Sequence, residues 1–275
     1  MLLRYLTQTI TIFTNMQLYF YKYHGTGNDF IILDNRDNKY DGIQPAQVAK
    51  ICHRRFGIGA DGLMMLNQKN GYDFEMIYYN ADGNPGSMCG NGGRCLVRFA
   101  YDMGIRKYTY RFIASDGEHE AEIDNRNLVR LKMKDVDSVE EHSSFSILNT
   151  GSPHYVKFIT NVEEADVFAD GRAIRNSSHF AEQGINVNFV ENTGEDSIYV
   201  RTYERGVEDE TMSCGTGVTA ASLVSAHNER GFNRVEVKTP GGNLSVEFNK
   251  ISDQQFNDIW LCGPATFVYK GEIEI

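Results

Sequence analysis

Cys89 and Cys214 stand in nearly the same sentence, MCGNGGR and SCGTGVT, each followed by Gly-x-Gly. The stretches behind them, 90–103 and 215–230, read as helices, so both cysteines fall at helix N-termini. Unpaired N–H groups and the helix dipole favour negative charge there. A thiol in that setting ionises more readily than free cysteine, whose pKa is about 8.5. One such cysteine suggests a nucleophile; two in matching frames suggest acid–base groups facing one another. A lone cysteine at a helix start is more often a small buried hydrophobe. Cys52, Cys95 and Cys262, which lack a glycine frame, read that way.

Other residues gather near these frames. His24-Gly25-Thr26-Gly27-Asn28-Asp29 is good turn chemistry, and it also lets Asn28 project an amide into a site. Asn80, Asn84 and Asn91 surround Cys89. Glu204-Arg205-Gly206 closes a strand upstream of Cys214. It reads either as a solvated charge pair or as a grip on an ammonium and a carboxylate. His154, in Gly151-Ser152-Pro153-His154, fits a satisfied histidine and a site residue equally. Glycines at Gly90 and Gly215 would bare backbone N–H groups to a carboxylate. GTGVTA at 215–220 also matches a dinucleotide fingerprint. The residues before it are acidic and polar rather than a buried strand, which argues against that use.

At 275 residues the chain suits one large domain or two ordinary ones. A net charge of −10 without a basic cluster argues against nucleic acid or an anionic membrane and for a small-molecule partner. Five irregularly placed cysteines make no disulfide framework and no zinc spacing, so no metal is expected and a reduced, cytoplasmic setting is. Residues 1–15 lack the apolar core and cleavage site of a signal peptide and read as a flexible or non-native leader before Met16. No run is long enough to span a membrane as a helix.

Strand patterning dominates the elements that must position these residues. Strands are expected over 17–23, 30–34, 63–66, 74–80, 108–114 and 128–133, then 154–159, 185–190, 197–203, 234–238, 243–248 and 265–269. Helices are expected over 45–56 and 163–168 besides the two post-cysteine runs. Strand, Asn/Gly loop, Cys-Gly-x-Gly and helix occur once per half, which points to an internal duplication of one α+β unit. The seam falls at the acidic stretch 134–144. The halves are then 16–134 and 135–262, with a last strand at 263–275 free to return to the first.

The blocks KYHGTGNDF, RRFGIGADG, YYNADGNPGSMCGNGGRC, GSPH, GINVNF, TYERGVEDETMSCGTG and TPGGNL, in this order, resemble the diaminopimelate epimerases. These are pyridoxal-phosphate-independent amino acid epimerases, and the resemblance runs from Met16 to the C-terminus. It implies two pseudo-symmetric domains, each a β-barrel-like sheet around a central helix, with the active site in the cleft between them. It implies epimerisation of LL- to meso-diaminopimelate for lysine and peptidoglycan precursors, with no cofactor. Cys89 and Cys214 become the acid–base pair, with His154 and Glu204 assisting. Asn28, Asn80, Asn91, Asn186, Glu204 and Arg205 become substrate contacts, along with the backbone at Gly90, Gly215 and Thr216. A homodimer remains open. The chain departs from the family at Ser152, where many members carry Asn, at Gly62, where some carry Gln, and at Glu208-Asp209, where glycine is commoner.

Two rivals are separable. A proline-racemase-like enzyme would share the paired thiols but not the substrate contacts. A thiol redox protein would show a functional disulfide couple, whereas oxidation would merely inactivate an epimerase.

Overall fold

The structure is a computed structural model that describes residues 16–86 and 88–275. The leader expected at 1–15 lies outside the described residues. Seven strands make up the first half: β1 Gln17–Gly25, β2 Asn28–Asp34, β3 Gly62–Asn67, β4 Glu75–Asn80, β5 Thr109–Ala114, β6 Gly117–Ile123 and β7 Leu128–Lys132. The second contributes β8 Val139–Glu141, β9 Ser146–Asn149, β10 Pro153–Phe158, β11 Asn186–Gly194, β12 Ser197–Glu204 and β13 Asp209–Thr211. It continues with β14 Gly231–Thr239, β15 Gly242–Ser252, β16 Gln255–Pro264 and β17 Thr266–Glu274. The helices are α1 Pro45–Cys52, α2 Gly90–Asp102, α3 Val167–Arg175 and α4 Gly215–Val224.

Strand pairing repeats along the chain. Along β1 to β7 neighbouring strands pair antiparallel, parallel, antiparallel, parallel, antiparallel and antiparallel. The series β9, β10, β11, β12, β14, β15, β16 runs through the same sequence of pairings. The fold is therefore α+β and built from two pseudo-symmetric repeats. β7 and β16, which occupy equivalent places, pair antiparallel and join the repeats into one sheet. β17 lies against β1, as β8 lies against β9.

Each repeat curls around one helix. α2 packs against β1, β2, β3, β6 and β7, and α4 against β9, β10, β11, β12, β14 and β15. α2 is buried from Gly90 through Val97 and again at Phe99 and Ala100. A helix buried on nearly every side belongs at the centre of a layer, which explains its small and apolar residues. The two helices share one core, in which Leu96, Phe99, Val218 and Leu223 meet sheet residues such as Leu131 and Leu261. Smaller cores form where α1 and α3 cover the outer faces.

Several elements differ from expectation. α4 stops at Val224, because the polar run that follows has no apolar face to bury. The helix expected at 163–168 is a short 3-10 turn at Val162–Glu164 followed by α3. The strands at β6, β8, β9, β13 and β16 are additional. β6 and β16 are rich in charged and polar residues, because one face of each meets water.

Candidate functional site

The two cysteine frames meet where the central helices begin. Cys89 is the N-cap of α2 and Cys214 the N-cap of α4. A methyl group placed on Gly215 would stand 3.5 Å from the Gly90 Cα and 2.9 Å from Leu261 Cδ2. A methyl group on Gly90 would likewise stand 3.1 Å from Leu261 Cδ2, so glycine at both positions leaves this leucine in place between the helix ends.

The thiols sit in unequal surroundings. Cys89 is half-buried, and its Sγ lies 3.4 Å from Asn28 Oδ1. Burial pushes its pKa up, while the N–H groups of Gly92 and Asn91 and the Arg94 guanidinium pull it down. Cys214 is buried, with Sγ 3.5 Å from the Thr216 hydroxyl. Burial and then the Glu204 carboxylate push it far above the ordinary thiol range. Neither sulfur closes a cap hydrogen bond of full geometry, yet the first N–H groups of each helix, Asn91 and Gly92 for Cys89 and Gly217 for Cys214, lower its pKa. Burial likewise raises Glu204, against hydrogen bonds from the Thr211 hydroxyl at 2.9 Å and the Cys214 thiol.

Asn28 reaches the site because β1 and β2 close through a two-residue turn. Thr26 and Gly27 both take positive φ there, 51° and 87°. That turn suits a right-twisted hairpin, although a β-branched residue seldom adopts it. Thr26 is held by a hydrogen bond from its hydroxyl to Ser213 Oγ at 3.1 Å and by one from Arg94 at 3.3 Å. Asn28 Nδ2 donates to Asp61 Oδ2 at 2.6 Å, which leaves its carbonyl oxygen toward Cys89. Arg54 bridges Asp61 and Asp29 and so fixes this edge.

Asn91 ties the repeats together. Its Nδ2 lies 2.8 Å from the Ser213 carbonyl and 3.3 Å from Asn28 Oδ1. Asn80 is exposed at the end of β4, opposite Gly62. Asn186 spends its amide on structure: Nδ2 donates to the Pro153 carbonyl and Oδ1 accepts from the Arg205 N–H at 2.8 Å. Arg205 in turn donates to the Gln183 carbonyl and has no carboxylate partner among the described residues. His154 is fully buried between the Asn186 and Asn188 amides, and neither thiol is among its hydrogen-bond partners. Burial and then the nearby Arg205 charge push it down to about 3, so it is a neutral imidazole at neutral pH.

Sequence reasoning missed Arg94, Ser213, Thr211, Asp61 and Tyr78. Tyr78 packs its ring between Gly62 and Gly86, where a methyl group on either would collide at 2.5 Å. A glutamine at position 62 is thus sterically excluded while Tyr78 stands. Arg94 carried a legible signal, namely an arginine in the run 92–97, whose other residues are all small or apolar. No three His, Cys, Asp or Glu side chains among the described residues are grouped to hold a metal ion.

The architecture defines a class first. The chain superposes on a PhzF-family phenazine biosynthesis protein from Bacillus anthracis with a TM-score of 0.69, at 14% identity, covering 94% of this chain and 99% of that one. A hydroxyproline epimerase from Agrobacterium vitis, solved with bound trans-4-hydroxy-L-proline, gives 0.64 at 12% identity over 94% and 91%. These similarities concern the fold. Sequence narrows it: the diaminopimelate epimerase family model matches residues 20–139 and 146–268. A diaminopimelate epimerase of Flavobacterium psychrophilum is 48% identical over 92% of this chain and 99% of its own. One of Chlorobaculum tepidum is 44% identical over 91% and 99%. The chain belongs to the diaminopimelate epimerase family.

Proposed function

We propose that this enzyme interconverts LL- and meso-diaminopimelate by inverting one α-carbon with Cys89 and Cys214. The observation that carries the reading is the abutment of two cysteine-capped helix ends at Gly90 and Gly215. Inversion requires a proton to leave one face of the carbon and another to arrive at the opposite face. A single base tends to return the proton to the face it left. With two, one sulfur enters as thiolate and takes the α-proton, and the other enters as thiol and delivers its own. The enzyme emerges with the protonation states exchanged.

The α-hydrogen is weakly acidic, so charge developing on the substrate carboxylate needs preorganised donors. Backbone N–H groups at Gly90, Asn91, Gly215 and Thr216 belong to two helix N-termini aimed at one place and suit that task. Asn28 holds Cys89, and Glu204 bears on Cys214. Arg205, whose backbone is held by Asn186 and which has no carboxylate partner among the described residues, suits the distal carboxylate, and Asn80 the distal ammonium. A substrate lacking that second centre would leave these groups unpaired and be rejected. His154, buried and neutral, supports Asn186 and Asn188 from behind. In this reading the substrate is a free amino acid of the cytoplasm. No helix among the described residues is long and apolar enough to cross a membrane.

The test is incubation of LL-diaminopimelate in deuterated water, following meso product and α-deuterium together. Retained turnover in Cys89→Ala or Cys214→Ala would sink the two-base reading. Activity on proline but not diaminopimelate would move the chain to the racemases.

A further inference from the structure

Arg94 is fully buried, yet it has no carboxylate partner among the described residues. It donates to the Asn91 Oδ1 at 3.0 Å, the Thr26 hydroxyl at 3.3 Å and the Gly90 carbonyl at 3.4 Å, and its Nε has no partner. A guanidinium keeps its charge in proteins, and burying one without an anion is costly. Such a charge persists where something anionic forms beside it.

The groups facing it are few. From its own helix come Cys89 and Cys95, and from β16 comes Cys262. Burial holds Cys95 up at about 12 and Cys262 at about 11, so both stay thiols. Cys89 alone of the three stands at a helix N-terminus. It is also faced by the Glu204 carboxylate from the second repeat, which opposes its ionisation, while Cys214 and Tyr78 beside it are themselves pushed up and stay neutral. Arg94 is the cation set against that carboxylate.

The hydrogen bonds give Arg94 a second task. By donating to Asn91 Oδ1 it fixes which way that amide points, so Nδ2 faces both Ser213 and Asn28. Through Thr26 it reaches Ser213 again. Both routes end on the residue before Cys214 and start one helical turn from Cys89.

We propose that Arg94 is a positioning residue of this site: its guanidinium locks Asn91 across the two cysteine loops and offsets the charge of a thiolate at Cys89. This rests on the two-cysteine reading above.

The experiment is the pH dependence of Cys89 alkylation by iodoacetamide in the full-length chain, read by peptide mass spectrometry, for Arg94→Gln, Arg94→Met and Arg94→Lys. Thermal unfolding checks that each variant is folded. The neutral variants are expected to move the Cys89 midpoint up by a unit or more, about tenfold less thiolate on the rising limb. Cys214 is expected to move less. Arg94→Lys keeps the charge but not the fork, so its Cys89 midpoint stays near the parent's while kcat/KM for diaminopimelate falls. A folded neutral variant with the parent's Cys89 midpoint overturns the proposal. If neither neutral variant folds, a Cys89 midpoint displaced by a unit or more in Arg94→Lys overturns it equally. A parent inactive on diaminopimelate would sink the functional reading instead, because alkylation needs no turnover.

Discussion

Gly90 and Gly215 begin the two central helices and face each other across Leu261, whose Cδ2 takes the room a side chain on either would need. A methyl group on Gly215 meets Leu261 Cδ2 at 2.9 Å, while the Gly90 Cα at 3.5 Å is an ordinary contact. Leu261 can yield by a few tenths of an ångström; the helix ends cannot separate without moving both thiols. Gly215→Ala is therefore expected to cost about 1–3 kcal/mol in urea unfolding from overpacking. Shortening Leu261 to Val in the same protein should recover part of that stability through coupling between touching sites. Epimerisation should not recover with it, because the added methyl group stays in the gap between the two helix ends, 3.5 Å from the Gly90 Cα. Recovery of both together would show that the approach of the helices matters only for packing.

Glu204 and Cys214 form the second unequal pair. The carboxylate raises the thiol's pKa, and the thiol donates to the carboxylate. Glu204→Gln removes the charge, so the pH midpoint for alkylation of Cys214 should fall. Cys89, which also feels Glu204, should move in the same direction. Turnover should nevertheless drop by about 10²-fold or more, because the positioned proton partner is gone. An unchanged Cys214 midpoint would remove Glu204 from the proton chemistry.

His154 makes acid stability measurable. Its folded pKa of about 3 lies well below the ordinary value of 6.5, because burial disfavours the charged ring. Between those values the unfolded chain binds the proton and the folded chain does not. Stability from this site is thus complete above about pH 6.5 and is lost as pH falls toward 3, by up to about 1.4 kcal/mol per pH unit. Urea unfolding at pH 7 and pH 5 should show the parent losing more stability than His154→Asn, which has nothing to titrate. Parallel losses in the two proteins would place His154 in a wetter setting than the buried one.

The duplication was legible because chemistry repeats more faithfully than patterning does. Cys-Gly-x-Gly before a helix survives in both halves, and it marks α2 and α4 directly. What escaped was placement across the sheet. β6 carries Glu118, Glu120 and Glu122 on one side of the strand, and β16 carries exposed Asn257 and Asp258 where its ladder to β15 is irregular. A propensity reading discounts such residues, while the antiparallel neighbour accepts them. The site divides in the same way. Asn28 and Asn91 could be picked from their frames, but Ser213 and Thr26 act through bonds between residues far apart in sequence. Asn186 and His154 could be named, yet their use of each other and of Asn188 depends on the parallel register of β10 and β11.

The departure at Glu208 has a local account. Glu208 takes φ +58°, a conformation that glycine adopts without strain and other L-residues adopt at a cost of about 1–2 kcal/mol. Its carboxylate meets that cost by accepting from the Gly206 N–H at 3.1 Å, the Tyr203 hydroxyl at 3.2 Å and Arg175 at 3.3 Å. Two substitutions separate backbone from side chain. Glu208→Ala keeps the strain and loses all three bonds, so it should be the more destabilising. Glu208→Gly loses the same bonds but relaxes the turn, and should retain about 1 kcal/mol more stability than Ala. Urea midpoints for the three proteins give the order. Since Arg205 and Glu204 lie just before this turn, Ala should also raise KM for diaminopimelate more than Gly does. Equal stability for Ala and Gly would mean that the turn carries no strain, and that the carboxylate's bonds alone hold it.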